Sequence, residues 1–96
     1  MHTLSILAPP NPPTNVIAKR SDPTTVNVSW TAPSTGNPVI RYHIHYIANG
    51  GESTRGGSTT STSYVLTNLQ AGVPLNISVS AVGAYLPSYQ AFAYVT

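Results

Sequence analysis

Side chains alternate faces along a β-strand, so apolar residues at every second position commit a segment to a sheet with one buried face. That pattern dominates this chain. Val26, Val28 and Trp30 fall on one face, against Asn27, Ser29 and Thr31 on the other. The pattern returns between Val39 and Ile47, where Ile40, Tyr42, Ile44 and Tyr46 oppose Arg41, His43 and His45. It returns again where Leu75, Ile77, Val79 and Ala81 oppose Asn76, Ser78 and Ser80. No stretch carries the 3.6-residue period of an amphipathic helix. The apolar faces are β-branched and aromatic, which suits a pleated surface, and they place Trp30 in a core and the intervening Asn and Ser residues in solvent.

The segments between these runs have turn chemistry. Ala32 to Pro38 contains two prolines that cannot donate to a ladder, so it joins two strands. From Ala48 to Ser63 there is almost no apolar content, which predicts a turn at Asn49-Gly50-Gly51, at most a weak edge strand, and a loop. Tyr64 and Leu66 begin a further alternating run, closed by Leu69 before the break at Gln70-Ala71-Gly72. An opening strand lies around Asn15 to Arg20. A hairpin loop at Gly83 to Ser88 leads into a last strand near Tyr89 to Val95. Two parities are open for that strand: Ala91, Ala93 and Val95 inward with Phe92 and Tyr94 outward, or the reverse. About seven strands without a helix define an all-β, immunoglobulin-like antiparallel sandwich.

The arrangement resembles the fibronectin type III family from Pro12 to Thr96. The residues that carry the resemblance are Pro12-Pro13, Val16 and Val26-x-Val28-x-Trp30 followed by Pro33, then Tyr42-x-Ile44-x-Tyr46. They continue as Tyr64-x-Leu66-x-x-Leu69-x-x-Gly72, running into Leu75-x-Ile77-x-Val79-x-Ala81-Val82. The resemblance implies one sheet of the first, second and fifth strands and another of the rest. There are no cysteines to pair the two sheets as in immunoglobulin domains. The chain departs from the family at Leu75, where a Tyr usually makes a corner hydrogen bond. Here Pro74-Leu75 is expected to fix the corner by packing and by proline's locked φ. The family's adhesive Arg-Gly-Asp tripeptide is absent, and Arg55-Gly56-Gly57 lacks the carboxylate, so integrin recognition of that kind is not expected.

The 96 residues leave room for one core. Residues 1–11, with Pro9-Pro10 inside them, are expected to be an extended Pro-rich linker or leader ahead of a domain spanning 12–96. Met1 to Ala8 lacks a basic flank and a long apolar run, and no segment approaches the roughly 20 apolar residues of a membrane span, so no membrane insertion is expected. The net charge of +2 comes from Lys19, Arg20, Arg41 and Arg55 against Asp22 and Glu52. These charges are scattered, unlike the massed cations of a nucleic-acid footprint.

A hydrolase needs a nucleophile, a base and an orienting group, and two isolated carboxylates do not supply them, so no catalytic site and no cofactor are expected. His43 and His45 project from one strand face but lack a third ligand, so no metal site is expected either. Asn27-Val28-Ser29 and Asn76-Ile77-Ser78 fit the N-glycosylation pattern, with both Asn side chains expected in solvent. Most loops are Ser-, Thr-, Gly- and Asn-rich, whereas Tyr85, Leu86, Pro87 and the adjoining Tyr89 are aromatic and apolar. They form the candidate interface, because loops carry recognition and Tyr is a rigid amphipathic anchor. The reading that follows is a non-catalytic protein-interaction and spacer module of an extracellular or cell-surface multidomain protein, monomeric in isolation. Its partners would be another protein or neighbouring domains of its own chain. Two alternatives are an accessory domain of a secreted microbial glycoside hydrolase and an engineered binding scaffold.

Overall fold

The computed structural model describes residues 9–84 and 86–96, which form seven β-strands and no helix. β1 (Thr14–Asp22), β2 (Thr25–Thr31) and β5 (Ser63–Leu66) make a three-stranded sheet in the order β1-β2-β5. β3 (Arg41–Ala48), β4 (Ser53–Thr59), β6 (Leu75–Val82) and β7 (Ala91–Val95) make a four-stranded sheet in the order β4-β3-β6-β7. Every pairing is antiparallel. This is the partition of strands that the family resemblance implies.

The core is the space between the sheets, filled by the alternating residues. Val26, Val28 and Trp30 of β2 and Leu66 of β5 meet Tyr42 and Ile44 of β3 and Leu75, Ile77, Val79 and Ala81 of β6. Ile44, Ile77, Val26 and Val79 are fully enclosed, and burying each such side chain stabilises the fold by about 1.5–3 kcal/mol. The Trp30 and Tyr42 rings meet edge to face, with centroids 5.2 Å apart. This geometry sets the positive ring edge against the negative face.

Three local expectations are corrected. β4 is a seven-residue edge strand rather than a weak strand and loop, although it carries no large apolar residue. Backbone pairing to β3 holds it, and its glycines make room for side chains from the opposite sheet. A Cβ on Gly57, where φ is +154°, would lie 2.2 Å from the Tyr64 hydroxyl, and one on Gly56 would lie 2.5 Å from Leu66 Cδ2. Ile40, expected inward, precedes the start of β3 and is half-exposed, with its N–H donating to Val82 O. Ser78 and Ser80 face outward as their parity requires, yet each is only 6% exposed. They lie on β6, between β3 and β7, with Ser78 flanked in register by His45 and Phe92 and Ser80 by His43.

The last strand takes the register with Ala91, Ala93 and Val95 inward and half-buried, and Phe92 and Tyr94 outward. Pro10 is buried, in contact range of Gly83, and Asn11 Nδ2 donates to the carbonyl and the hydroxyl of Thr35 at 3.0 Å each. The chain is therefore held against the sandwich before Pro12.

At the other end of the molecule Leu75 is buried without a corner tyrosine. Arg20 ties this end together: Nε donates to Thr96 O at 2.9 Å, Nη1 to Pro23 O at 2.9 Å and Nη2 to Val73 O. One guanidinium thus fastens β1, the β1–β2 turn, the approach to β6 and the exit from β7.

Candidate interaction surfaces

The first candidate surface is the β6–β7 connection, whose shape follows from a few hydrogen bonds. Gly83 N–H donates to Leu86 O at 3.1 Å and closes the tip. Ser88 is buried below it and acts as a pin: its N–H donates to Ala81 O at 2.6 Å, and its Oγ accepts from Ala81 N–H at 2.8 Å. The same hydroxyl donates to Tyr89 O at 2.7 Å. With its base fixed, the connection directs its larger residues outward. Leu86 is 48% exposed and Tyr89 85% exposed, and Pro87 between them is exposed as well. Tyr85 lies outside the described residues. Pro9, Leu86, Pro87, Ser88 and Tyr89 line an open, mostly apolar hollow of about 440 Å³.

The two sequon asparagines, Asn27 on β2 and Asn76 on β6, are both exposed. They sit on different sheets. Asn76 lies between Ile47 and Tyr94 in the cross-strand register and borders a second open hollow at the β3–β4 turn.

The second candidate surface is the outer face of the four-stranded sheet, which the sequence reading does not single out. Register places His45 beside Ser78 and Ser78 beside Phe92, with His43 beside Ser80 and Asn76 beside Tyr94. Phe92 is 58% and Tyr94 66% exposed. The alternating serines of β6 were the available signal, because small residues on a central strand leave a trough between its neighbours. The imidazoles of His43 and His45 are 6.5 Å apart between centroids. Burial holds the His43 pKa below the ordinary imidazole value, and the nearby charges of Arg55, His45 and Arg41 act in the same direction. His45 Nδ1 is buried with no hydrogen-bond partner among the described residues.

Among the described residues no three His, Asp or Glu side chains are grouped to hold a metal ion. The carboxylates do not converge. Asp22 sits at the β1–β2 turn, accepting from the Thr24 N–H at 2.9 Å, and this bond, aided by the Thr25 side chain, lowers its pKa. Glu52 is exposed in the β3–β4 turn.

The family model for the fibronectin type III domain matches residues 11–93. The chain belongs to the fibronectin type III family. Neogenin of Rattus norvegicus is 28% identical over 79 residues, which cover 81% of this chain and 6% of neogenin, so this chain spans only a small part of that relative. Among solved structures, titin kinase with its flanking domains superposes with a TM-score of 0.81 at 22% identity, covering 92% of this chain and 17% of the other. The extracellular region of rat CD45 superposes with a TM-score of 0.79 at 15% identity, covering 93% and 50%. In each case the matched part is one portion of a longer chain. At these identities the two structures speak for the fold alone.

Proposed function

We propose that this domain is a non-catalytic interaction and spacing module of an extracellular or cell-surface multidomain protein, and that it makes contact through Leu86, Pro87 and Tyr89. The observation that carries this reading is the outward presentation of Tyr89 beside Leu86 on a connection pinned from below by Ser88. A pinned base lets the tip dock without much loss of backbone freedom, and Pro87 lowers that loss further. Pro9, at the start of the described residues, lines the same hollow, so a neighbouring domain on the N-terminal side is the partner this surface is best placed to meet. Exposed sequons at Asn27 and Asn76 support a secretory setting.

The test compares amide NMR spectra of the isolated domain with those of the same domain joined to its N-terminal neighbour in the parent protein. Shifts confined to Leu86–Gln90, and abolished by Leu86→Ser with Tyr89→Ser, are expected. Shifts confined to other surfaces, or none, would remove the basis for this contact. Secretion from a eukaryotic host should add glycan mass that Asn27→Gln and Asn76→Gln remove, and a secreted product without that mass would count against the secretory setting.

A further inference from the structure

We infer that the outer face of the four-stranded sheet is a second docking surface, shaped for an acidic polypeptide segment lying across β6. Its carboxylates would meet the His43, His45 and Arg55 side, and an apolar side chain would rest on Phe92 and Tyr94. This surface is independent of the Leu86–Tyr89 tip.

The relief of the sheet comes first. β6 is flanked on both sides, and its outward serines are nearly covered, so the surface a partner meets is formed by the side chains of β3, β4 and β7 that stand around them. Imidazoles rise from β3 on one side and aromatic rings from β7 on the other. Single exposed apolar residues are ordinary, but two large rings at consecutive outward positions of one strand make a continuous apolar wall. The sheet is four strands wide, about 14 Å at the usual strand spacing, which suits a short extended segment.

Charge selects the occupant. Arg41, His43 and His45 point outward from β3, and Arg55 pairs with His45 from β4. None of the four strands contains Asp or Glu, and the chain's two carboxylates are at Asp22, on the other sheet, and Glu52, in a turn. An anionic partner would meet attraction from every charge on this face, which favours encounter as well as orientation. A sulfated polysaccharide would leave the aromatic wall unused, and a neutral sugar would leave the guanidinium groups unmatched. An acidic polypeptide satisfies both sides of the trough.

Protonation should tighten the complex. His43 lies opposite Ser58 of β4 and Ser80 of β6, and it feels the charges of Arg55 on β4 and of Arg41 and His45 on its own strand. In the free domain these cations oppose its protonation, and carboxylates laid over the face would favour it.

The probe is an acetylated seven-residue peptide with one tyrosine flanked on each side by three alternating glutamates and aspartates, titrated into the ¹⁵N-labelled chain. Saturable shifts are expected at the amides of His43, His45, Ser78, Ser80, Phe92 and Tyr94. Affinity should rise several-fold between about pH 7.5 and about pH 5.5 and fall with added salt. Arg55→Glu and Phe92→Ser, both at exposed positions, should each weaken binding by about tenfold with the thermal midpoint unchanged. Leu86→Ser should leave this binding untouched, which separates the inference from the function proposed for the tip. Absence of saturable shifts, or shifts centred on Leu86–Tyr89 or on β1, overturns it. Heparin or cellohexaose producing the same shifts at equal or lower concentration, with Phe92→Ser without effect, also overturns it.

Discussion

The two ends of the sandwich solve opposite problems. At the Arg20 end, loose backbone carbonyls from three segments are gathered onto one guanidinium, so the polar groups there are satisfied from within. At the Leu86 end, backbone bonds and the Ser88 hydroxyl fix the connection, while the side chains of Leu86, Pro87 and Tyr89 are turned to solvent. The first, closed end satisfies its polar groups internally, and the second, open end leaves apolar side chains in solvent. Exposure alone would not distinguish them, since Lys19 and Asp22 at the closed end are also exposed. The difference lies in where the hydrogen bonds go.

The strongest way to disturb both ends at once is to remove what lies between them. Trp30→Ala should cost about 3–5 kcal/mol, because the largest buried side chain leaves a cavity and loses its contact with Tyr42. A denaturant midpoint unchanged by this substitution would contradict the placement of Trp30 in the core.

Breaking the closed end alone should cost less. Arg20→Ala removes charge-assisted donors to three carbonyls, two of them near solvent, and should destabilise by about 1–3 kcal/mol in chemical denaturation. Arg20→Lys should restore only part of this, because a single ammonium does not reproduce the fork. Full recovery with lysine would reduce the clamp to a simple charge.

At the open end, Leu86→Ser and Tyr89→Ser should each change stability by no more than about 0.5 kcal/mol. A larger loss in either thermal midpoint would mean that these side chains cap the core, and the contrast between the ends would disappear.

The smallest expected effect is a dependence on pH at the closed end. The folded-state pKa of Asp22 is depressed by the Thr24 N–H, so its contribution is present above the carboxyl's ordinary value of 3.8 and lost as pH falls through the lower folded value. Asp22→Asn should flatten the acid limb of the stability curve there. His43 adds a separate limb at higher pH. Its folded pKa is also lowered, so the unfolded chain takes up the proton first and stability declines as pH drops below 6.5. His43→Gln should remove that limb, as read from midpoints across a pH series.

Much of the fold was legible because parity is a local property. Val26, Val28 and Trp30 alternate with polar neighbours, and only one face of a strand can be buried. Less was legible where one residue's burial depends on another strand. The Ser78 hydroxyl looks solvent-facing in sequence, and its enclosure required knowing that His45 and Phe92 flank it. The candidate tip was readable from composition at Leu86, Pro87 and Tyr89. The trough was not, because its walls come from strands nearly fifty residues apart in sequence.

By itself the sequence determined which segments become strands, which face of most of them turns inward, and that the core is centred on Trp30, since these follow from the period and bulk of neighbouring residues. Only the tertiary structure decided three further points: that β4 is a full strand, that Phe92 and Tyr94 turn outward, and that Arg20 fastens four segments. The physical reason is the same for all three. Each depends on groups brought together by the packing of two sheets: Tyr64 and Leu66 over Gly57 and Gly56, alanines against the core in place of aromatic rings, and carbonyls of Pro23, Val73 and Thr96 around one guanidinium.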